Sequence, residues 1–285
     1  DEMIDFAKYA FNKSHAAAYA VVSYQTAWLK YYYPVEYMAA LMTSVIDNPG
    51  KVAEYIYSCR QMGIKILPPD INHGYSSFSV DNGSIRYGLA AIKSIGRPVI
   101  KEIVAERKAN GEFKNLKDFI ERMSGKDINK RTIENFIKSG AFDELGGTRK
   151  QFMVIYVQIL DQVNREKKNS MTGQMSLFDI VGEEQKSEFD IPLPNVGEYE
   201  KSTKLAFEKE VLGIYLSGHP MEEYEEQWRK GISKTTQDFQ FDEELGFSRV
   251  SDGVAEIIGG IIASKTIKYT KNNKTMCFLT IEDIM

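Results

Sequence analysis

The spacing of apolar residues changes period near Gly253, dividing the chain into a long helical part and a short β tail. Before that point apolar side chains recur at intervals of three and four, as at Val52, Tyr55, Ile56 and Cys59. After it, Val254, Glu256 and Ile258 alternate with Ala255, Ile257 and Gly259, and the run continues through Ile261 and Ile262. Beyond a turn near Lys271–Lys274, Thr275 to Ile281 alternates again. Two or three strands neither close a barrel nor protect an open edge, so residues 253–285 are expected to be an incomplete β unit and the chain a fragment. A length of 285 residues fits two or three domains, and the expected fold class is mainly α and multidomain.

The helical part has clear punctuation. The aromatic-rich stretch from Tyr24 to Tyr33 stops at Pro34. A helix over Val35–Val45 is broken by Asp47-Asn48-Pro49-Gly50, and Val52–Met62 follows, capped by Gly63. Residues 1–64 are therefore expected to form a compact helical unit. Tyr31, Tyr32 and Tyr33 point in different directions on a helix, so core packing is expected of them rather than a base-stacking platform. Leu67-Pro68-Pro69-Asp70 is stiff, and Phe78–Val80, Asp81-Asn82-Gly83 and Ile85–Gly88 spell a hairpin.

Net charge is −4 overall, but its distribution is uneven. Residues 85–168 carry 18 basic and 11 acidic side chains, whereas residues 169–256 carry 8 and 19. The basic block implies either a polyanion contact or solvated helix faces. Within it, Lys93-Ser94-Ile95-Gly96 precedes a helix that starts at Arg97-Pro98. A glycine hairpin feeding a helix N-terminus brings backbone amides close to a phosphate, and Lys93 and Arg97 add charge there. The unit recurs about 45 residues on, where the helix Lys130–Lys138 runs into Ser139-Gly140-Ala141-Phe142 and Thr148 caps a long helix. Two such hairpins either fit two phosphate contacts along a duplex, which position a protein without reading sequence, or are ordinary helix–turn–helix corners; their pairing inside the basic block favours the contacts.

In the polar linker that follows, Gln174-Met175-Ser176-Leu177-Phe178 stands out, because a linker cannot bury a Leu-Phe pair locally. It either anchors in a partner's apolar pocket, with Gln174 adding a directional hydrogen bond, or tucks back onto the chain's own surface. Lys204–Tyr215 is expected to be a helix ending at Ser217-Gly218-His219-Pro220, with a short acidic helix after it. Cys59 and Cys277 are far apart and form no CxxC pair, which fits a reducing compartment. No apolar run approaches the ~18 residues of a membrane helix, and the acidic start is unlike a signal peptide. A soluble, cytoplasmic chain with no membrane partner is expected. His15, His73 and His219 are scattered, and neither a hydrolase triad nor a P-loop is present.

Ala7 to Tyr19 with Ser23–Thr26 closely resembles the end of the fingers domain of the bacterial replicative family C DNA polymerases. Leu67–Asn72, the paired hairpins, Gln174–Phe178, Lys209-Glu210-Val211-Leu212-Gly213 and Ser217–Pro220 resemble that family in the same order. The resemblance implies fingers over residues 1–84, tandem helix–hairpin–helix over 85–168 and a linker over 169–200. It further implies a helical connector over 201–252 and the start of an OB domain over 253–285. It implies nucleotide contact by Asn12, Lys13, Ser14 and His15. Duplex DNA contact falls to Lys93, Ser94, Ile95, Gly96, Arg97, Lys138, Ser139, Gly140 and Ala141. Docking on the β sliding clamp falls to Gln174, Met175, Ser176, Leu177 and Phe178. Implied partners are primer–template duplex, single-stranded template through the OB unit, and other replicase subunits. The family's Mg²⁺-binding carboxylates lie in the palm, upstream of the matched region. No catalytic residue, metal site or cofactor is therefore expected here, and the segment alone is expected not to polymerise. The alternative is a non-catalytic scaffold that reuses the hairpins and the clamp peptide.

Overall fold

The computed structural model describes residues 13–171, 191–242 and 246–284. They fall into two compact units, within Asp1–Ile214 and Tyr215–Met285.

The first unit opens with α1 (Lys13–Tyr32), α2 (Pro34–Ser44) and α3 (Pro49–Gln61). Pro34 and Pro49 sit in first turns, where a missing N–H costs nothing. Asn48, expected as a breaker, caps α3 by accepting from the Lys51 amide at 3.2 Å. Gly63, at φ 72°, ends α3, and the Ile64 amide reaches back to the Cys59 carbonyl at 2.8 Å. Val52, Ile56 and Cys59 are buried on the face their spacing implied.

A small sheet follows. β1 (Ile66–Leu67) runs parallel to β3 (Ser84–Arg86), which pairs antiparallel with β2 (Ser79–Asp81). Asn82 and Gly83 turn the hairpin at φ 49° and 76°, both positive as a two-residue I′ loop requires. Beyond the sheet lie α4 (Arg97–Asn110), α5 (Leu116–Met123), α6 (Lys130–Ser139), α7 (Arg149–Met171) and α8 (Lys201–Leu212). The buried rings of Phe113, Phe119, Phe136 and Phe142 interlock at centroid distances of 4.9–6.2 Å. Three of the four pairs adopt the edge-on geometry that aromatic quadrupoles favour, and Phe136–Phe142 is tilted at 59°.

The Leu67–Asn72 stretch turns into this core. Asp70 accepts from the amides of Asn72 and His73, while the Asn72 side chain grips Phe113 at both its amide and its carbonyl. Arg107 donates to the Ile71 carbonyl at 2.8 Å. Thr148 starts α7 as expected, exchanging hydrogen bonds with Gln151.

The second unit contains α9 (Glu225–Gly231), a short pair β4 (Phe241–Asp242) and β5 (Phe247–Ser248), and the hairpin β6 (Ile261–Tyr269) with β7 (Thr275–Glu282).

Several expectations are corrected. Tyr31, Tyr32 and Tyr33 are 79%, 59% and 50% exposed, and α1 buries no residue. It touches chiefly α2, so it presents its aromatics instead of packing them into a compact 1–64 unit. The alternating run 254–260 is extended but joins no strand ladder. The Ile257 carbonyl accepts from Ser233, and the Gly259 carbonyl accepts from Trp228 Nε1 at 2.7 Å. Backbone groups of Ile257 and Gly259 that would pair with a neighbouring strand are thus taken by α9 and the loop after it. The helix expected to reach Tyr215 stops at Gly213, at φ 78°.

Candidate nucleic-acid interface

The first hairpin, Ile92–Gly96, joins a 3₁₀ turn at Leu89–Ala91 to α4. Ile92 and Ile95 are buried and pin its inner side, leaving Lys93, Ser94, Gly96 and Arg97 exposed. Ser94 sits at φ 63°, a left-handed conformation few side chains adopt. No side chain caps α4, and Pro98 in its first turn has no N–H. The first amides of the helix therefore face outward with no intrahelical acceptor. At Gly96, φ is −76°, and an added Cβ would meet only Pro98 Cδ at 3.6 Å. Nothing within the chain demands glycine there. What glycine provides is room for an external group to approach the amides. Lys93 has no ion pair among the described residues, and Arg97 only a loose one to Asp47 at 3.4 Å, with both side chains well exposed. The helix dipole and these two cations favour an anion at the same point.

The second hairpin is different. Gly140, at φ 83°, closes α6 with the Gly140 amide on the Ile137 carbonyl and the Ala141 amide on the Phe136 carbonyl. Ser139 and Ala141 are buried, with Ser139 Oγ donating to the Phe136 carbonyl and the Ala141 carbonyl accepting from Ile71. A Cβ on Gly140 would collide with the Arg149 guanidinium, which is itself buried between Asp143 and Glu208. Burial alone would pull the Arg149 pKa down, but its two carboxylate partners hold it above the ordinary value. Lys138 is largely buried and bonded to Glu134 at 2.9 Å and Glu210 at 2.8 Å. Burial opposes its charge too, yet the carboxylates raise its pKa. The structure therefore does not bring Lys138, Ser139, Gly140 and Ala141 to solvent as it does the first hairpin. Their hydrogen-bonding groups are spent on the fold.

Three residues unremarked in the sequence do stand beside Lys93. Lys130, Arg131 and Asn135 of α6, with Lys138, Glu134 and Glu210, line a cleft of about 390 Å³ next to the hairpin. Asn135 Nδ2 donates to the Lys93 carbonyl at 2.7 Å. The sequence signal was the stripe Arg131, Asn135, Lys138 at helical spacing.

Of the nucleotide-facing candidates, Lys13, Ser14 and His15 occupy the exposed first turn of α1, with His15 against Tyr19 at 4.5 Å between centroids. Asn12 and the peptide Gln174–Phe178 lie outside the described residues. Among the described residues no group of three His, Cys, Asp or Glu is placed to hold a metal ion, and no helix is long and apolar enough to cross a membrane.

A family model for the helix-hairpin-helix motif matches residues 63–152, which contain both hairpins and the cleft-forming α6. The chain is 38% identical over 278 residues to a DNA polymerase III subunit alpha from Borreliella burgdorferi, covering 98% of this chain and 24% of the relative. It is 38% identical over 293 residues to the Mycobacterium tuberculosis protein of the same name, covering 100% and 24%. The corresponding figures for Escherichia coli O6:H1 are 36% over 285 residues, covering 98% and 23%. The chain thus spans about a quarter of the length of these relatives. Matched along nearly its whole length in this way, it belongs to the DNA polymerase III alpha family and corresponds to the segment of it that carries the helix-hairpin-helix motif.

Proposed function

We propose that this chain holds the backbone of primer–template duplex for a DNA-directed DNA polymerase whose nucleotidyl-transfer chemistry lies outside the segment. The first hairpin carries the reading: uncapped α4 amides, an unforced glycine and the exposed cations Lys93 and Arg97 meet at one point. Hairpin amides and cations neutralise a phosphate without reading bases, so binding releases counterions and weakens with salt, with a log–log slope of roughly −0.9 per phosphate. Fluorescence anisotropy of a labelled duplex with the whole chain across a salt series tests this. Lys93→Gln with Arg97→Gln is expected to weaken binding at every salt concentration and flatten the slope. A salt-independent affinity, or an unchanged slope in the double variant, overturns the assignment.

The remaining roles follow from the family resemblance. Gln174–Phe178 docks on a sliding clamp, the linker raising the effective concentration of polymerase at the template without a tighter grip on DNA. Replacing Gln174, Leu177 and Phe178 with alanine should abolish binding to purified clamp. Equal binding by both chains would make the peptide a plain linker. Asn12–His15 face the incoming nucleotide, and the β6–β7 unit begins a domain that meets single-stranded template. Other replicase subunits are partners of the parent protein, which works in the cytoplasm with Mg²⁺ supplied by its palm. Purified alone, this chain should incorporate no dNTP.

A further inference from the structure

The cleft beside the first hairpin is cationic by composition but not by the number of free charges. Four cations, Lys93, Lys130, Arg131 and Lys138, line it against two carboxylates, Glu134 and Glu210. Lys138 is held by both carboxylates, and Lys130 leans away to Asp161 at 3.3 Å. Lys93 and Arg131, both exposed, have no ion-pair partner among the described residues. Glu210 enters from α8, and its side chain is 54% exposed while that of Lys138 is 13% exposed. The carboxylate thus stands at the mouth of the cleft with the ammonium behind it. Its oxygen, 2.8 Å from Lys138 Nζ, occupies the position that an oxygen of an arriving phosphate would take.

We propose that this cleft seats a second duplex phosphate, with Arg131 as its own free cation, Lys93 shared with the hairpin phosphate, and Glu210 as the carboxylate that the second phosphate displaces from Lys138. The proposal rests on the chain being a duplex binder. The first hairpin supplies the neighbouring phosphate site, and the Asn135–Lys93 hydrogen bond fixes the spacing between the two. Glu210 acts as a weight against non-specific binding. A bare anion must break an existing ion pair to enter, whereas a duplex already held at the hairpin presents its next phosphate at high local concentration. The buried ammonium exchanges one anionic partner for another and is never left unpaired.

Duplex binding by the native chain, Arg131→Gln, Glu210→Gln and Glu226→Gln across a salt series separates the possibilities. Glu226 pairs with Lys230 on α9 and controls for the mere loss of one negative charge. Arg131→Gln is expected to flatten the log–log slope by about 0.9. Glu210→Gln is expected to tighten binding roughly two- to fivefold, the range of an exposed ion pair, with no change in Glu226→Gln. If the native chain fails to bind duplex, the duplex-binding reading falls and takes the cleft with it. If it binds with a clear salt slope but Arg131→Gln matches it, or Glu226→Gln tightens binding as much as Glu210→Gln, the cleft alone is refuted. Inorganic pyrophosphate supplies the last arm. Competition beyond its ionic strength in the native chain but not in Arg131→Gln would assign the cleft to free phosphates and overturn the proposal.

Discussion

Arg149→Met should be among the costliest single substitutions in the larger unit. The guanidinium bonds Asp143 at 2.8 and 3.0 Å, Glu208 at 3.3 Å and the Lys138 carbonyl at 3.2 Å. Asp143 is 40% exposed and would be rehydrated once the guanidinium is gone, but the Glu208 side chain is 2% exposed. The damage therefore concentrates on one carboxylate that loses its buried cation. Removing one partner of such a pair typically costs about 3–5 kcal/mol. At an m-value near 2 kcal/mol/M, that lowers the urea midpoint by roughly 2 M. Adding Glu208→Leu removes the buried carboxylate that has lost this cation, so the double variant should recover about 2 kcal/mol or more of the loss. Unfolding in urea followed by far-ultraviolet circular dichroism gives both numbers. A loss below about 1 kcal/mol in the single variant, or additive losses in the double one, would refute the placement of the cost on Glu208.

Three further outcomes are expected. Hydrogen bonds from Lys126, Asn110 and Arg122 lower the Glu106 pKa from 4.5 to about 2. Its contribution to stability is thus fully present above pH 4.5 and lost as pH falls toward 2, and Glu106→Gln should flatten the stability difference between about pH 6 and pH 3 measured in urea. Gly83→Ala meets no atom and pays only for positive φ, about 1–2 kcal/mol, whereas at Gly88 a Cβ would come within 2.8 Å of the Ser77 carbonyl carbon and 2.9 Å of the Phe78 nitrogen; thermal melts should rank Gly88→Ala well below Gly83→Ala. Burial raises the Cys59 thiol to about 11 while Cys277 is exposed, so iodoacetamide near pH 8 should label Cys277 at once and Cys59 only after unfolding; early labelling at Cys59 counts against the fold of α3.

The local parts of this fold could be read from single residues. Asn82-Gly83 set a turn, Gly63 a helix end, Thr148 a helix start, and Val52, Ile56 and Cys59 a buried face, because each acts within a few positions of itself. What could not be read depended on distant chain. The charge of Lys138 is neutralised by Glu210, 72 residues later, so a basic residue in a basic block is not a free cation. β1 is two residues long and pairs with a strand almost twenty positions on, too short for any periodicity. Alternation over 254–260 was real, but the Ile257 and Gly259 carbonyls are held by Ser233 and Trp228 instead of by a neighbouring strand. The tyrosines at 31–33 carry core chemistry without a core, since all three are exposed and α1 buries no residue.

Lys93 combines an exposed side chain with a backbone that is fully engaged. Its amide donates to Val211 of α8 at 2.8 Å, and its carbonyl accepts from Asn135 of α6 at 2.7 Å. A loop tip is ordinarily compliant and absorbs a pull by bending. This one is riveted on both sides, so force on a polyanion held there passes into two packed helices instead of being lost in loop motion. The consequence is mechanical: DNA dragged past the hairpin would load the helical body as a rigid piece, and the hairpin would work as a bearing surface more than as a flexible grip.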